Sequence, residues 1–156
     1  MGHTARGMMQ QEPESPAMFS HPSLPRLMLL CVLVLLATWA AMMWPFNFGP
    51  RDGVWLSMQP REPAQLLLRV LLFVPLGFCE AWLVGNALRV RNAALVMVAI
   101  DAALVSIIGE TAQWWLPGRT SSLLDVVANT LGGVVGGMLG VTLSPRLNAR
   151  FWPDAS

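Results

Sequence analysis

Four apolar runs, each about as long as a bilayer is thick, take up most of this 156-residue chain. A helical crossing needs roughly 20 predominantly apolar residues. Leu27 to Trp44 carries no charge, and Ala64 to Val84 carries Arg69 and Glu80. Ala93 to Leu116 carries Asp101 and Glu110, and Ser122 to Leu143 carries Asp125. Breakers lie between the runs: Pro45, Pro50, Pro60 and Pro63, then Asn86 to Asn92, then Pro117-Gly118-Arg119. The expected fold class is therefore all-α, an integral membrane four-helix bundle with cytoplasmic N- and C-termini. Residues 1–26 are expected as a flexible cytoplasmic tail, 27–146 as the transmembrane domain and 147–156 as a second short tail.

Composition agrees with this. Charged residues are 12% of the chain, against about 25% in soluble domains. A net charge of +1 offers no basic field for nucleic acid, and two cysteines make no disulfide scaffold. The first run does not read as a signal peptide, because 26 long, polar residues precede it and no small-x-small site ends it. Those residues hold Pro13, Pro16, Pro22 and Pro25 among Gln, Glu and Ser, a composition that cannot build a core.

Arginine sets the orientation, since all ten basic residues are Arg. With the N-terminus inside, the inner segments hold Arg6, Arg26, Arg89, Arg91, Arg146 and Arg150, and the outer ones hold Arg51, Arg61 and Arg119. Trp44, Trp82, Trp114, Trp115 and Trp152 fall near proposed interfaces, where indoles anchor helices.

Charge inside a bilayer costs a few kcal/mol per group and points to function by default. In this topology Arg69, Glu110, Gln113, Asp125 and Asn129 fall near the outer ends of three helices, and Arg119 in the turn joining two of them. On the third helix Ala99, Ala102, Ala103, Ser106, Glu110 and Gln113 form one stripe at spacings of three and four. On the fourth, Asp125, Asn129, Gly132, Gly136 and Gly140 do the same, and Gly133 and Gly137 widen the seam. Small residues at this spacing let membrane helices approach closely, so the stripe is expected to face a neighbour. Glu80 and Asp101 lie towards the cytoplasmic half, and are expected to pair or to reach towards Arg89 and Arg91.

The run Glu110-Thr-Ala-Gln113-Trp-Trp-Leu-Pro-Gly-Arg119-Thr-Ser-Ser-Leu-Leu-Asp125-Val-Val-Ala-Asn129-Thr-Leu-Gly132-Gly133 closely resembles the VanZ-like family. Leu72-Phe73-Val74-Pro75-Leu76-Gly77-Phe78 resembles that family's second motif, and Pro45-Phe46 also fits. The likeness covers roughly residues 28–143. The family commonly has Asn just before the second motif, where this chain has Arg69. The resemblance implies a multi-pass protein of the bacterial cytoplasmic membrane, a link to teicoplanin-type antibiotic susceptibility and, at second hand, chemistry on phosphate-bearing lipid headgroups.

Each polar residue carries two readings. Arg119 offers a planar fork of donors for a phosphate, or is a headgroup anchor. Ser122-Leu-Leu-Asp125 matches a capping box, so Asp125 is either a cap or a site carboxylate at a helix start that favours anions. Glu110 is a general acid or base, or the partner of Arg69 or Arg119 in a buried ion pair. Gln113 and Asn129 orient a headgroup, or join helices. The catalytic candidates are Glu110 and Asp125; the substrate-binding candidates are Arg119, Gln113, Asn129 and Arg69. His3 and His21 are the only histidines, and no dedicated metal or cofactor is expected. A divalent cation shared by Glu110, Asp125 and a substrate phosphate is the one metal arrangement that these residues allow.

The leading expectation is an enzyme of phosphoester transfer or hydrolysis, reached laterally by a phospholipid or a polyprenyl-linked envelope precursor. The rival is a non-catalytic protein that binds or shields an envelope lipid or partner.

Overall fold

Helix is the regular structure that satisfies every backbone group of an apolar segment from within, and the described residues use it four times. A computed structural model describes residues 24–50, 55–58, 60–88 and 91–151. They form α1 (Leu24–Met43), α2 (Pro63–Leu88), α3 (Arg91–Gln113) and α4 (Leu123–Phe151). Each is long and apolar enough to cross a membrane, and the described residues contain no strand. The tail before residue 24 with His3 and His21, Arg51, Arg89, the side chain of Arg91, and Trp152 lie outside the described residues.

The outer faces of the helices are apolar, unlike those of a water-soluble bundle. Ser106, Glu110, Gln113 and Asn129 are 0% exposed, whereas Leu29 is 61%, Leu68 66% and Leu131 55% exposed. Apolar side chains face outwards on all four helices, which suits lipid as the solvent, while these four polar ones join Phe73 and Leu76 inside; Asp101 of α3 is exposed.

α4 is the centre of the bundle, packed along α2 and against α3; α1 lies on α2 and α3 and makes no close approach to α4. The glycines of α4 divide between two neighbours. A Cβ at Gly132, Gly136 or Gly140 would meet the carbonyl oxygens of Val70, Val74 and Phe78 on α2. One at Gly133 or Gly137 would instead meet Ala102 or Val98 on α3. Gly77 completes the contact from the α2 side against the Gly133 carbonyl. The expected seam is thus two adjacent stripes serving two partners, and the missing side chains bring three backbones together.

One end differs from expectation. α4 runs on to Phe151, through Pro145, rather than stopping near Leu143. Its polar extension is held by Asn148, which accepts from Trp82 Nε1 at 2.8 Å and donates to Asn86 Oδ1. Trp82 is consequently buried between α2 and α4 instead of standing in a lipid-facing belt.

Candidate functional site

The N-terminal ends of α2 and α4 and the C-terminal end of α3 meet around one guanidinium. Arg69, seven residues into α2, points Nη1 at Glu110 Oε1 of α3 at 3.6 Å. Its Nη2 donates to Gln113 Oε1 at 3.2 Å and to Asp125 Oδ2 of α4 at 3.4 Å. Between the two carboxylates considered for a shared cation therefore lies the Arg69 guanidinium. Among the described residues no three of His, Cys, Asp or Glu come together as a metal site.

A second arginine, counted in the sequence only towards orientation, joins this layer. Arg61 Nη2 lies 3.4 Å from Asp125 Oδ2 and donates to Thr120 Oγ1 at 2.9 Å and to the Thr120 carbonyl. The loop before α2 folds back to place it there. Ser57 N–H donates to the Ser121 carbonyl at 2.9 Å, and Leu123 N–H donates to the Ser57 carbonyl at 3.2 Å. Further along, Gly49 N–H donates to the Trp115 carbonyl at 2.9 Å. The loop is strapped onto the α3–α4 turn, which Gly118 permits with φ 77°.

The expected capping box is replaced by a contact between helices. Ser122 stands at the N-cap of α4, but its N–H donates to Glu110 Oε2 at 3.0 Å, while Asp125 goes to the two arginines. Ser121 Oγ donates to the Glu110 carbonyl at 2.6 Å. Glu110 thus supplies from α3 the acid that a capping box normally draws from its own helix.

Beside these groups lies a cavity of about 530 Å³. Its polar wall is Arg61, Arg69, Gln113, Arg119 and Asp125, and its apolar wall is Ala41 of α1 with Leu68 and Leu72 of α2. Five of the six candidate residues are drawn together, but not all face the space. Gln113, Asp125, Arg69 and Arg119 line it; Glu110 sits behind Arg69 and does not. Asn129 lies one turn below, tying α4 to α3 by donating to Ser106 Oγ at 2.8 Å, away from the cavity. Arg119 is exposed, with Nη2 donating to the Trp44 carbonyl at 3.0 Å.

Chemically, three guanidiniums stand against two carboxylates, leaving one formal positive charge. The Nε2 of Gln113 is buried with no hydrogen-bond partner among the described residues, at a position lining the cavity. A buried donor left unpaired is expensive, so this one favours an acceptor arriving from the cavity. Glu80 and Asp101 take no part. They line a separate, mostly apolar cavity of about 370 Å³ between α2 and α3.

Neither a curated protein nor a solved structure matches the chain. The family model described as VanZ/LLP1 matches residues 11–144, so this multi-pass membrane chain belongs to the VanZ/LLP1 family.

Proposed function

We propose that the protein acts on the phosphoester of a lipid headgroup at the outer leaflet of the bacterial cytoplasmic membrane, with both termini inside. The observation that carries this reading is the cavity itself. Three arginines and an unpaired amide form one wall, and the other is Ala41 of α1 with Leu68 and Leu72 of α2, of which Ala41 and Leu68 are exposed. Guanidinium forks match phosphate oxygens, and the surplus positive charge matches one phosphodiester anion. The apolar wall gives hydrocarbon a lateral way in for a phospholipid or a lipid-linked envelope precursor.

Asp125 is the carboxylate that faces the bound ester. It takes the proton of water or of an acceptor hydroxyl as that oxygen bonds to phosphorus. The ester bond to the departing alcohol breaks, and the alkoxide collects a proton from solvent at the cavity mouth. Arg61, Arg69 and Arg119 hold the phosphate and offset the charge that develops on its oxygens. Glu110 serves as a positioning residue for Arg69 and for the start of α4.

The test is headgroup release from defined phospholipids and envelope lipid extracts by the purified protein in bilayers. Turnover that disappears in Arg119→Lys, with expression intact, supports an enzyme. Binding without turnover for every lipid overturns catalysis and leaves the second reading, a protein that holds or shields an envelope lipid. The pairing of both carboxylates to arginine is what favours that second reading. A role in glycopeptide susceptibility is compatible with either.

Orientation has its own test. Thr120 is exposed in the α3–α4 turn. In a background lacking Cys31 and Cys79, Thr120→Cys is expected to react with an impermeant maleimide added outside intact cells. Reaction only from the cytoplasmic side reverses the topology.

A further inference from the structure

Behind Arg119 lies a second space, of about 200 Å³, bounded by Pro50 and by residues Trp114 to Arg119. Gly118 and Arg119 border both this space and the larger cavity, so the two share a wall. Trp114 and Trp115 meet at 5.2 Å with their planes at 74°, forming an aromatic corner, and Trp115 stays 46% exposed. A Cβ at Gly118 would meet nothing within 4 Å, so the approach beside Arg119 is open.

We infer that this aromatic corner seats a neutral, hydroxyl-bearing group, a sugar or polyol, on the far side of the phosphate; the inference rests on the phosphate-lipid reading above. Such a group presents C–H faces to the indoles, whose π-faces are electronegative, and hydroxyl oxygens to the remaining donors of Arg119. A quaternary ammonium also favours an indole face, but here it would lie beside the Arg119 cation and be repelled. The spatial order supports the assignment. Leu68 and Leu72 line only the larger cavity, Trp114 and Trp115 only the smaller space, and Arg119 lines both, which matches the order hydrocarbon, phosphate, hydroxylated group. The substrate class this points to is a glycosyl or polyol phosphodiester lipid.

Three single-chain phosphodiesters separate the outcomes when titrated against the full chain in micelles of an uncharged polyoxyethylene detergent. They are dodecyl methyl phosphate, dodecyl glucosyl phosphate and dodecylphosphocholine. Wild type is expected to bind the glucosyl diester about three- to tenfold more tightly than the methyl diester, the range for one good aromatic contact. The choline diester is expected to gain nothing over the methyl one. Trp115→Ala is expected to abolish the glucosyl preference while leaving methyl-diester binding intact, and Trp115→Phe to keep part of it. Equal binding of the glucosyl and methyl diesters by wild type, or a preference for choline, overturns the inference and leaves the phosphate reading standing. Equal weakening of both diesters by Trp115→Ala also overturns it, and makes the indole a bilayer anchor. Binding of none of the three overturns the inference together with the reading beneath it. If Trp115→Ala does not fold, the wild-type comparison and Trp115→Phe decide.

Discussion

Asp125→Asn is expected to lower headgroup turnover by about a hundred- to ten-thousand-fold, the usual worth of a positioned general base, without loss of lipid binding. The amide keeps the shape of the side chain and removes its charge. Arg61 then retains Thr120, and Arg69 retains Glu110 and Gln113, so neither cation is stranded. The formal charge around the cavity rises by one, and an anionic headgroup is held at least as firmly as before. Turnover at saturating lipid and an independent binding titration read the two quantities apart. A parallel fall of both would make Asp125 a clamp for the arginines rather than a base. Glu110→Gln is the informative contrast. It removes the Arg69 ion pair but keeps an oxygen for the Ser122 N–H, and its side chain lies outside the cavity. Its loss of turnover is expected to be smaller than that of Asp125→Asn and to pass through phosphate binding.

Gly136→Ala is expected to unfold a large share of the protein. The added Cβ would overlap the Val74 carbonyl and lie 2.9 Å from the Phe78 nitrogen. Those are backbone atoms of α2, so no rotamer change relieves the contact and the helices must separate. Overpacking a core generally costs about 1–3 kcal/mol, and a rigid backbone neighbour places this case at or above the upper end. Gly85→Ala is the control, because nothing lies within 4 Å of its Cβ. Within α2 it is expected to stabilise by up to about 1 kcal/mol through helix propensity alone. Thermal midpoints of both variants in one detergent make the comparison. Equal midpoints would show that the α2–α4 contact is looser than described.

The helices were legible because a bilayer imposes a length, and the inward faces because glycine, serine and acids recur at helical spacing. Arg69, Glu110, Gln113, Arg119 and Asp125 could all be placed at one level by counting residues from the membrane edge. Counting could not say which of them sees open space. Glu110 and Asp125 look equivalent in sequence and both are buried, yet Asp125 lines the cavity and Glu110, behind Arg69, does not. Arg61 escaped notice because its partners lie across a loop, 59 residues away at Thr120, and no local pattern records that fold-back. Asn148 escaped because an Arg- and Pro-bearing stretch resembles a tail. The helix runs on through it, and its hydrogen bonds fasten that extension to α2.

The central position of α4 has a consequence for the order in which the molecule can be made. α2 leaves the ribosome early and carries Arg69, yet Glu110 lies 41 residues later and Asp125 56 residues later. At about 5–20 residues per second, the second countercharge arrives roughly 3–11 s after the arginine. Through that interval α2 must lodge in lipid with a cation that lacks its full set of partners. Arg69 sits only six residues past the first of α2, roughly 9 Å at 1.5 Å per residue, so its guanidinium can reach back to the headgroups while it waits. The same shallow depth that places Arg69 in the polar layer of the finished bundle also lets the unfinished one enter the bilayer.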